Sequence, residues 1–485
     1  MYPTVSGKES NVNWNQFRGP NGQGVIETGQ IPIQFGPEEN LLWKTVTPAG
    51  HSSSVIWNNR IFLTAFELGN KLLTLAIDRN NGKILWQQVV EADRTVRFHK
   101  FNNPASSTPA VDDKHVYVYF GTYGLVCYDH AGNEVWQYKL ETPKSKYGMA
   151  TSPIIYKDKV IMVLDGDGGS SRLLAVHKDN GERAWEQPRS LFKAGWSTPM
   201  IWRHDDMEEL VVLGSKRLTS YDPSSGEEIW WAGGFPQETV SIPVAGEGLL
   251  FASAAALGGR GDEKFDLAGT WKMTVEEFDK NHDNQIERDE MTKGFAFIQR
   301  PELPRDNPGY GLPVRSMDTL LRIFDHDRNK IISEGEWMQT MSGFVTSSYP
   351  KLTAIRPGAN KNARKSHVAW EIQRGIPETP SLLYCQGKLY LLRDGGVLTC
   401  LEAATGKEFF RERIGASGQY TASPIAVGDK IIAASVKGIV TVIKVDNKLD
   451  VMARNNFKEN IFATPAIADD KIYLRTTSYL YALGE

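Results

Sequence analysis

Two twelve-residue stretches carry the plainest chemistry in this chain. The first runs Asp279-Lys280-Asn281-His282-Asp283-Asn284-Gln285-Ile286-Glu287-Arg288-Asp289-Glu290, and the second Asp325-His326-Asp327-Arg328-Asn329-Lys330-Ile331-Ile332-Ser333-Glu334-Gly335-Glu336. Both place oxygen-bearing side chains at positions 1, 3, 5 and 12. A hard divalent cation of modest size needs about six or seven oxygens, and a closing glutamate gives two of them. Asp279, Asn281, Asp283 and Glu290 form one side-chain set; Asp325, Asp327, Asn329 and Glu336 form the other. Gln285 and Ile331, at position 7, each offer a backbone carbonyl.

This is the arrangement of a pair of EF-hand loops, and it implies two calcium sites. Residues 275–278 and 320–324 read as the ends of entering helices, and 291–297 and 337–344 as exiting helices. Ile286 and Ile332 are expected to pair as the short strand joining the loops. Position 6 is Asn284 in one loop and Lys330 in the other, where glycine is usual. Asn tolerates a left-handed backbone and Lys adopts it at about 1 kcal/mol, so the second site is expected to be the weaker. Residues 257–350 hold 17 acidic and 12 basic residues, a net −5 that two calcium ions would nearly neutralise. His282 and His326 fall at loop positions that face solvent.

The elements that must position these loops repeat along the chain. Pro109, Pro153, Pro199, Pro243, Pro380, Pro424 and Pro465 open a strand–turn–strand phrase, all but Pro243 after a small or polar residue, with separations of 44, 46, 44, 137, 44 and 41. An eighth copy without the proline runs over residues 52–86. Near the end of each unit a glycine precedes a large aromatic by four: Gly82 and Trp86, Gly132 and Trp136, Gly181 and Trp185, Gly226 and Trp230, Gly406 and Phe410. A tight turn followed by an outer strand whose aromatic packs on the neighbouring unit explains the pair. Four strands in a period of about 40 to 50 residues indicate an all-β, eight-bladed β-propeller with a small α-helical insertion. The last unit has only three strands; residues 41–45, around Trp43, supply the fourth and close the ring.

The phrase Leu173 to Trp185, with Ser197 and Pro199 opening the next unit, resembles repeats of the pyrroloquinoline-quinone-like (PQQ-like) propeller superfamily. The opening Trp14-Asn15-Gln16-Phe17-Arg18-Gly19-Pro20-Asn21-Gly22 resembles the N-terminal strap of its extracytoplasmic bacterial members. The likeness covers residues 14–256 and 351–485. Residues 1–6 are not a basic-then-apolar secretion signal, so a periplasmic or extracellular location is what the resemblance alone implies. The superfamily includes quinone-dependent dehydrogenases and outer-membrane assembly lipoproteins, so the resemblance speaks to fold more than to activity. The expected division is a strap over 1–40, a propeller over 41–256 and 351–485, and an EF-hand pair over 257–350 within blade 5.

The long step of 137 residues, less a normal 44, leaves 93 for the insertion. It interrupts the turn between the second strand of blade 5, residues 248–254, and the third, 351–357. In an up-and-down blade that turn shares a rim with the connections between blades. Those connections carry His51, His99, Lys100, Asn102, Lys146, Tyr147, Trp196, Glu238, Glu378 and Tyr420 to the same rim, and a turn adds Arg393 and Asp394. Such a mouth suits a small polar ligand, a sugar or a quinone, or a protein partner. The Asp165-Gly166-Asp167-Gly168-Gly169 turn reads as a solvated loop.

The first reading is therefore a calcium-binding scaffold that binds a ligand or protein. The alternative is a quinone-dependent dehydrogenase or carbohydrate-active enzyme using the axial pocket, with Glu238 or Asp394 as base. PQQ as a cofactor has no support from a residue constellation. Cys127, Cys385 and Cys400 include no adjacent pair and no haem-attachment spacing. Cys385 and Cys400 fall within one blade, and their disulfide state is open at this level. A net charge of −3 with no long basic run excludes the electrostatic footprint of a nucleic-acid binder. No apolar run is long enough to span a bilayer.

Overall fold

The structure is a computed structural model, and it describes residues 13–92, 98–99, 101–255, 267–291, 295–298, 311–314, 316–346, 350–363 and 366–485. Eight antiparallel sheets form the blades of a propeller, each with four blade strands, consecutive in the chain except in the interrupted blade 5 and in blade 8, which takes its outer strand from near the N-terminus. Blade 1 is typical: Val55–Trp57, Arg60–Glu67, Lys71–Asp78 and Ile84–Glu91, from the axis outward. Second and third strands are mostly apolar and buried between neighbouring blades, as in Val116–Phe120 of blade 2. Outer strands alternate, as in Leu41–Val46, because one face meets solvent. That strand pairs with Tyr479–Leu483 and closes blade 8 with the chain's first long strand, as the sequence predicts.

Two devices join the blades. In the first, a glycine of one blade lies flat on the tryptophan of the blade before it. A Cβ added to Gly82, Gly132, Gly181, Gly226 or Gly406 would come within 2.5 to 2.8 Å of the ring of Trp43, Trp86, Trp136, Trp185 or Trp370 respectively. Each of these glycines also has a positive φ, which disfavours any side chain. The indole N–H then donates into the same neighbour, as from Trp136 to Lys178 O at 2.9 Å.

The second device explains the small polar residue before most of the prolines (Ile242 precedes Pro243, and in blade 6 the hydroxyl is that of Ser381, just after Pro380). Backbone amides around the axis donate to the hydroxyl one blade on: Ser53 to Thr108, Thr108 to Ser152, Ser152 to Thr198, Ile242 to Ser381, Ser381 to Ser423 and Ser423 to Thr464, at 2.9 to 3.1 Å.

The N-terminal segment crosses the inner ends of the blades. Trp14 bridges Ile56 of blade 1, Asn15 O accepts from Val111 N of blade 2, and Asn21 Nδ2 donates to Ile201 O of blade 4. The fully buried Arg18 donates to Leu382 O at 2.7 Å in blade 6. Val25–Ile26 adds a parallel strand inside blade 7, and Gln30 N reaches Asp470 Oδ1 of blade 8. Several contacts fall at turns between first and second strands, such as Asn58 and Gly428. The strap thus occupies the rim opposite the connections between blades.

The chain leaves blade 5 after Leu249–Ala254 and returns at Lys351–Ile355, which pair directly with each other. Between them stand three helices, α1 (Leu267–Phe278), α2 (Met317–Phe324) and α3 (Glu334–Thr346). One expectation fails here. Of the exiting helix expected over 291–297, residues 295–297 are not helical: they belong to the strand Phe295–Ile298, paired with Gly311–Val314, beyond a turn at 287–290, and residues 292–294 lie outside the described residues. The sequence Phe295-Ala296-Phe297-Ile298 is aromatic and β-prone, and it forms a hairpin strand where a helix is expected.

The cysteines are free and buried. Cys385 and Cys400 lie on the first and third strands of blade 6, with Lys388–Arg393 between them. Two strand spacings, about 9.5 Å, exceed the reach of a disulfide.

Candidate functional site

Part of the predicted rim converges on the connections of blades 1 to 5. Asn102 Nδ2 donates to Tyr147 O at 2.8 Å, and the rings of His99 and Tyr147 meet edge-on at 5.1 Å. Tyr147 in turn meets Trp196 at 5.4 Å, and the Trp196 indole donates to Gly148 O at 2.6 Å. Lys146 lies over the Tyr147 ring, 4.9 Å from its centroid. A hydrogen bond to Tyr147 raises the Lys146 amine, and Glu238 and Asp167 add to the rise. Burial raises the Glu238 carboxyl, with Asp167 adding and Lys146 opposing. His99, Asn102, Lys146, Tyr147, Trp196 and Glu238 therefore form one aromatic and charged neighbourhood.

Beside it a cavity of about 480 Å³ is lined by Glu141, Thr142, Lys144, Asp167, Gly168 and Ser170. Of these, Asp167 and Gly168 belong to the turn that the sequence marks as a solvated loop, and nothing in the sequence singles out the other four. The usable signal is length: seven residues separate the strands Lys159–Leu164 and Arg172–His177, against three in the corresponding turn of blade 2. Asp165 anchors the turn, with both oxygens 2.8 Å from the Nε and Nη2 of the buried Arg189.

The remaining predicted residues are placed elsewhere. Tyr420 is buried, its hydroxyl donating to Ala416 O at 2.7 Å while its amide donates to Asp394 Oδ1. It belongs with Asp394 and the buried Arg393 to a separate group in blades 6 and 7. Glu378 is partly buried on the connection from blade 5 to blade 6. His51 stacks on Phe462 at 4.1 Å, and burial, followed by the charge of Arg475, pushes its imidazole down to about 4. Lys100 lies outside the described residues.

The two acidic loops form a second candidate site. α1 leads into residues 279–290 and α2 into 325–336, and Ile286 pairs with Ile332 between them. Asn284 and Lys330 at position 6 both have positive φ, 62° and 71°. Backbone amides turn inward onto the acids: Asp279 accepts from His282 and Asn284, and Glu290 from Lys280, Asn281 and Glu287. In the second loop Asp325 accepts from Asn329 and Lys330, and Glu336 from His326, Asp327 and Ser333. Burial raises the Glu336 carboxyl, but these hydrogen bonds outweigh it and hold it below its ordinary value. Oxygens of Asp325, Asp327 and Glu336 lie within 4.8 Å of one another, a spacing that can hold a cation. Trp337 stacks on Phe324 at 4.6 Å and meets Trp271 at 5.5 Å, which packs the helices behind the loops.

Residues 169–272 match a family model described as outer membrane protein assembly factor BamB. No curated protein matches the chain in sequence. Among solved structures, BamB from Moraxella catarrhalis is similar at 11% identity and a TM-score of 0.52, covering 91% of this chain and 98% of that one. The chain has the fold of an eight-bladed β-propeller. A europium-containing methanol dehydrogenase shares it at 10% identity and a TM-score of 0.57, with 98% of each chain covered. So does quinohemoprotein alcohol dehydrogenase from Comamonas testosteroni, at 12% and 0.54, over 97% of this chain and 80% of that one.

The neighbourhood around Tyr147 does not fit the quinone of those dehydrogenases. PQQ is a tricarboxylate, whereas among the described residues Glu141, Asp167 and Glu238 outnumber Lys144 and Lys146 here. The three cysteines stand on separate strands, with no adjacent pair to cover a ring.

Proposed function

We propose that the chain is an extracytoplasmic scaffold that binds a small polar ligand or a protein on the rim formed by the connections between blades. In this reading residues 1–40 are a strap, 41–256 and 351–485 the propeller, and 257–350 a calcium-binding EF-hand pair. The observation that carries it is the pair of inward-turned oxygen loops inserted at the turn between the second and third strands of blade 5, on the rim where Tyr147, Trp196 and Glu238 gather. Asp279, Asn281, Asp283, Gln285 and Glu290 would hold one calcium, and Asp325, Asp327, Asn329, Ile331 and Glu336 the other. The ions would order the insertion rather than signal, since EF-hand affinities of about 10⁻⁹ to 10⁻³ M leave even weak sites filled at extracellular calcium levels.

Thermal unfolding of the full chain with calcium and with a chelator tests the metal part. Chelation should lower a transition belonging to the insertion while the propeller transition stays; Asp279→Ala combined with Asp325→Ala should reproduce it. An unchanged melt would remove calcium from the reading. Calorimetry with oligosaccharide and quinone panels in calcium buffer tests the rim, and tight quinone binding would favour the dehydrogenase alternative instead.

A further inference from the structure

Three connections between blades are stitched together beside the cavity of about 480 Å³. Asp167, which lines it from the turn of blade 3, donates its amide to Lys144 O at 2.7 Å, on the connection from blade 2 to blade 3. Its Oδ1 accepts from Ala194 N at 3.4 Å, on the connection from blade 3 to blade 4. Two residues on, Trp196 N donates to Thr239 O at 2.8 Å, next to Glu238 on the connection from blade 4 to blade 5. Cavity and aromatic group are therefore two parts of one site. The charge of Asp167 acts on both Lys146 and Glu238, which stand where the two parts meet.

Glu238 differs from its neighbours there. It is half-buried, yet among the described residues its side chain makes no hydrogen bond and no ion pair. Taking a carboxylate out of water without a partner costs free energy, and burial accordingly raises this carboxyl. Asp165, on the turn that lines the cavity, shows the contrast, with Arg189 bonded to both of its oxygens. A carboxylate left unpaired among charged and aromatic groups at a rim is satisfied by what binds there.

The surroundings narrow the chemistry of that ligand. The cavity falls in the usual range for a small-molecule site, about 300–1,000 Å³, but its lining is polar except at Gly168, which does not suit an apolar body. An anion would meet Glu141, Asp167 and Glu238 against Lys144 and Lys146 among the described residues. An organic cation would meet both ammonium groups, and Lys146 already lies over the Tyr147 ring, 4.9 Å from its centroid. A neutral polyhydroxylated ligand meets neither penalty. Each hydroxyl both donates and accepts, so it can give to the carboxylates and take from the ammonium groups. The half-buried Tyr147 ring adds an apolar surface for the C–H side of a sugar.

We infer that this site takes a neutral oligosaccharide, whose hydroxyls donate to Glu238 beside the Tyr147 ring and whose chain continues into the cavity past Asp167 and Lys144. This rests on the rim reading above and names its ligand. Hydrogen bonds to an ionised acceptor are roughly twice as strong as neutral ones, so Glu238 is the strongest single anchor of the bound sugar. Asp167 and Lys144, bonded to each other through their backbones, set the direction of the rest of the chain.

Calorimetry and a glycan array on the full chain test this, with neutral tetrasaccharides of glucose, mannose and galactose set against tetragalacturonate and tetraglucosamine. At least one neutral tetrasaccharide should bind, and the two charged ones about tenfold more weakly or not at all. Glu238→Ala should weaken that neutral ligand about tenfold and Tyr147→Leu about three- to tenfold. Lys437→Ala, on an exposed rim turn of blade 7, should change nothing. Glu238→Gln keeps the shape and one acceptor oxygen; it is the second variant should the alanine chain not fold, and should weaken binding about threefold. Binding confined to tetragalacturonate or tetraglucosamine would overturn the neutral class and leave a ligand-binding rim standing. A neutral sugar held equally well by Glu238→Ala and Tyr147→Leu would overturn the site. No sugar bound at all would overturn the inference, while a quinone held in a Glu238-dependent way would keep the rim reading with another ligand.

Discussion

Gly181 and Trp136 lie so close that a single added carbon has no room: a Cβ on Gly181 would sit 2.6 Å from Cε3 of the indole. The same indole donates to Lys178 O, three residues before that glycine. The turn of blade 3 and the outer strand of blade 2 are therefore one packing unit. Gly181→Ala should destabilise the propeller by roughly 1–3 kcal/mol through overpacking and a strained positive φ, seen as a lower denaturation midpoint. Gly69→Ala, at a turn with open space around it, should cost only the backbone strain.

Arg189 and Asp165 are both buried and doubly bonded. Removing one partner leaves an uncompensated charge, so Asp165→Ala should cost about 3–5 kcal/mol. Chemical denaturation of the variant measures it. A loss below about 1 kcal/mol would mean that water reaches the guanidinium.

His51 is held neutral by burial and by Arg475, at about 4. Its folded pKa is depressed, so the unfolded chain takes up the proton first. The associated stability is complete above about pH 6.5 and is lost as pH falls towards 4, by up to about 3 kcal/mol. His51→Phe keeps a ring against Phe462 and should flatten that part of the profile. Equal slopes for the variant and the parent chain between these pH values would show that His51 is not the group responsible.

Lys330 bears a positive φ of 71° at the loop position where glycine is usual. Lys330→Gly should relieve about 1 kcal/mol and tighten calcium at the second loop roughly fivefold. Titration calorimetry on a chain carrying Asp279→Ala isolates that site. No gain in affinity would place the weakness of the loop elsewhere.

The strap offers a further check. Arg18 is fully buried and bonds carbonyls of two adjacent blades, Leu382 O of blade 6 and Pro424 O of blade 7. Arg18→Leu leaves them without that donor and should destabilise the ring by about 2–4 kcal/mol, read by thermal or chemical unfolding. A change within about 0.5 kcal/mol would show that the strap does not fasten the blades.

Much of this architecture is written locally. The proline spacing, the glycine–aromatic offset and the strand around Trp43 each depend on a few neighbouring residues, because a turn, an outer strand and a closing strand are decided by backbone freedom and alternation. The acidic loops are legible for the same reason: a small cation takes its oxygens from one short stretch. Sequence spacing alone could not tell that Trp230 turns inward onto Glu209, that Tyr420 is buried, or that Cys385 and Cys400 sit two strands apart. Nor could it show that Asp165 pairs with Arg189, that residues 295–298 enter a hairpin, or that Lys351 reaches Gly233. These depend on which distant side chain occupies the remaining space and satisfies a buried charge or donor, and only the assembled ring of blades fixes that.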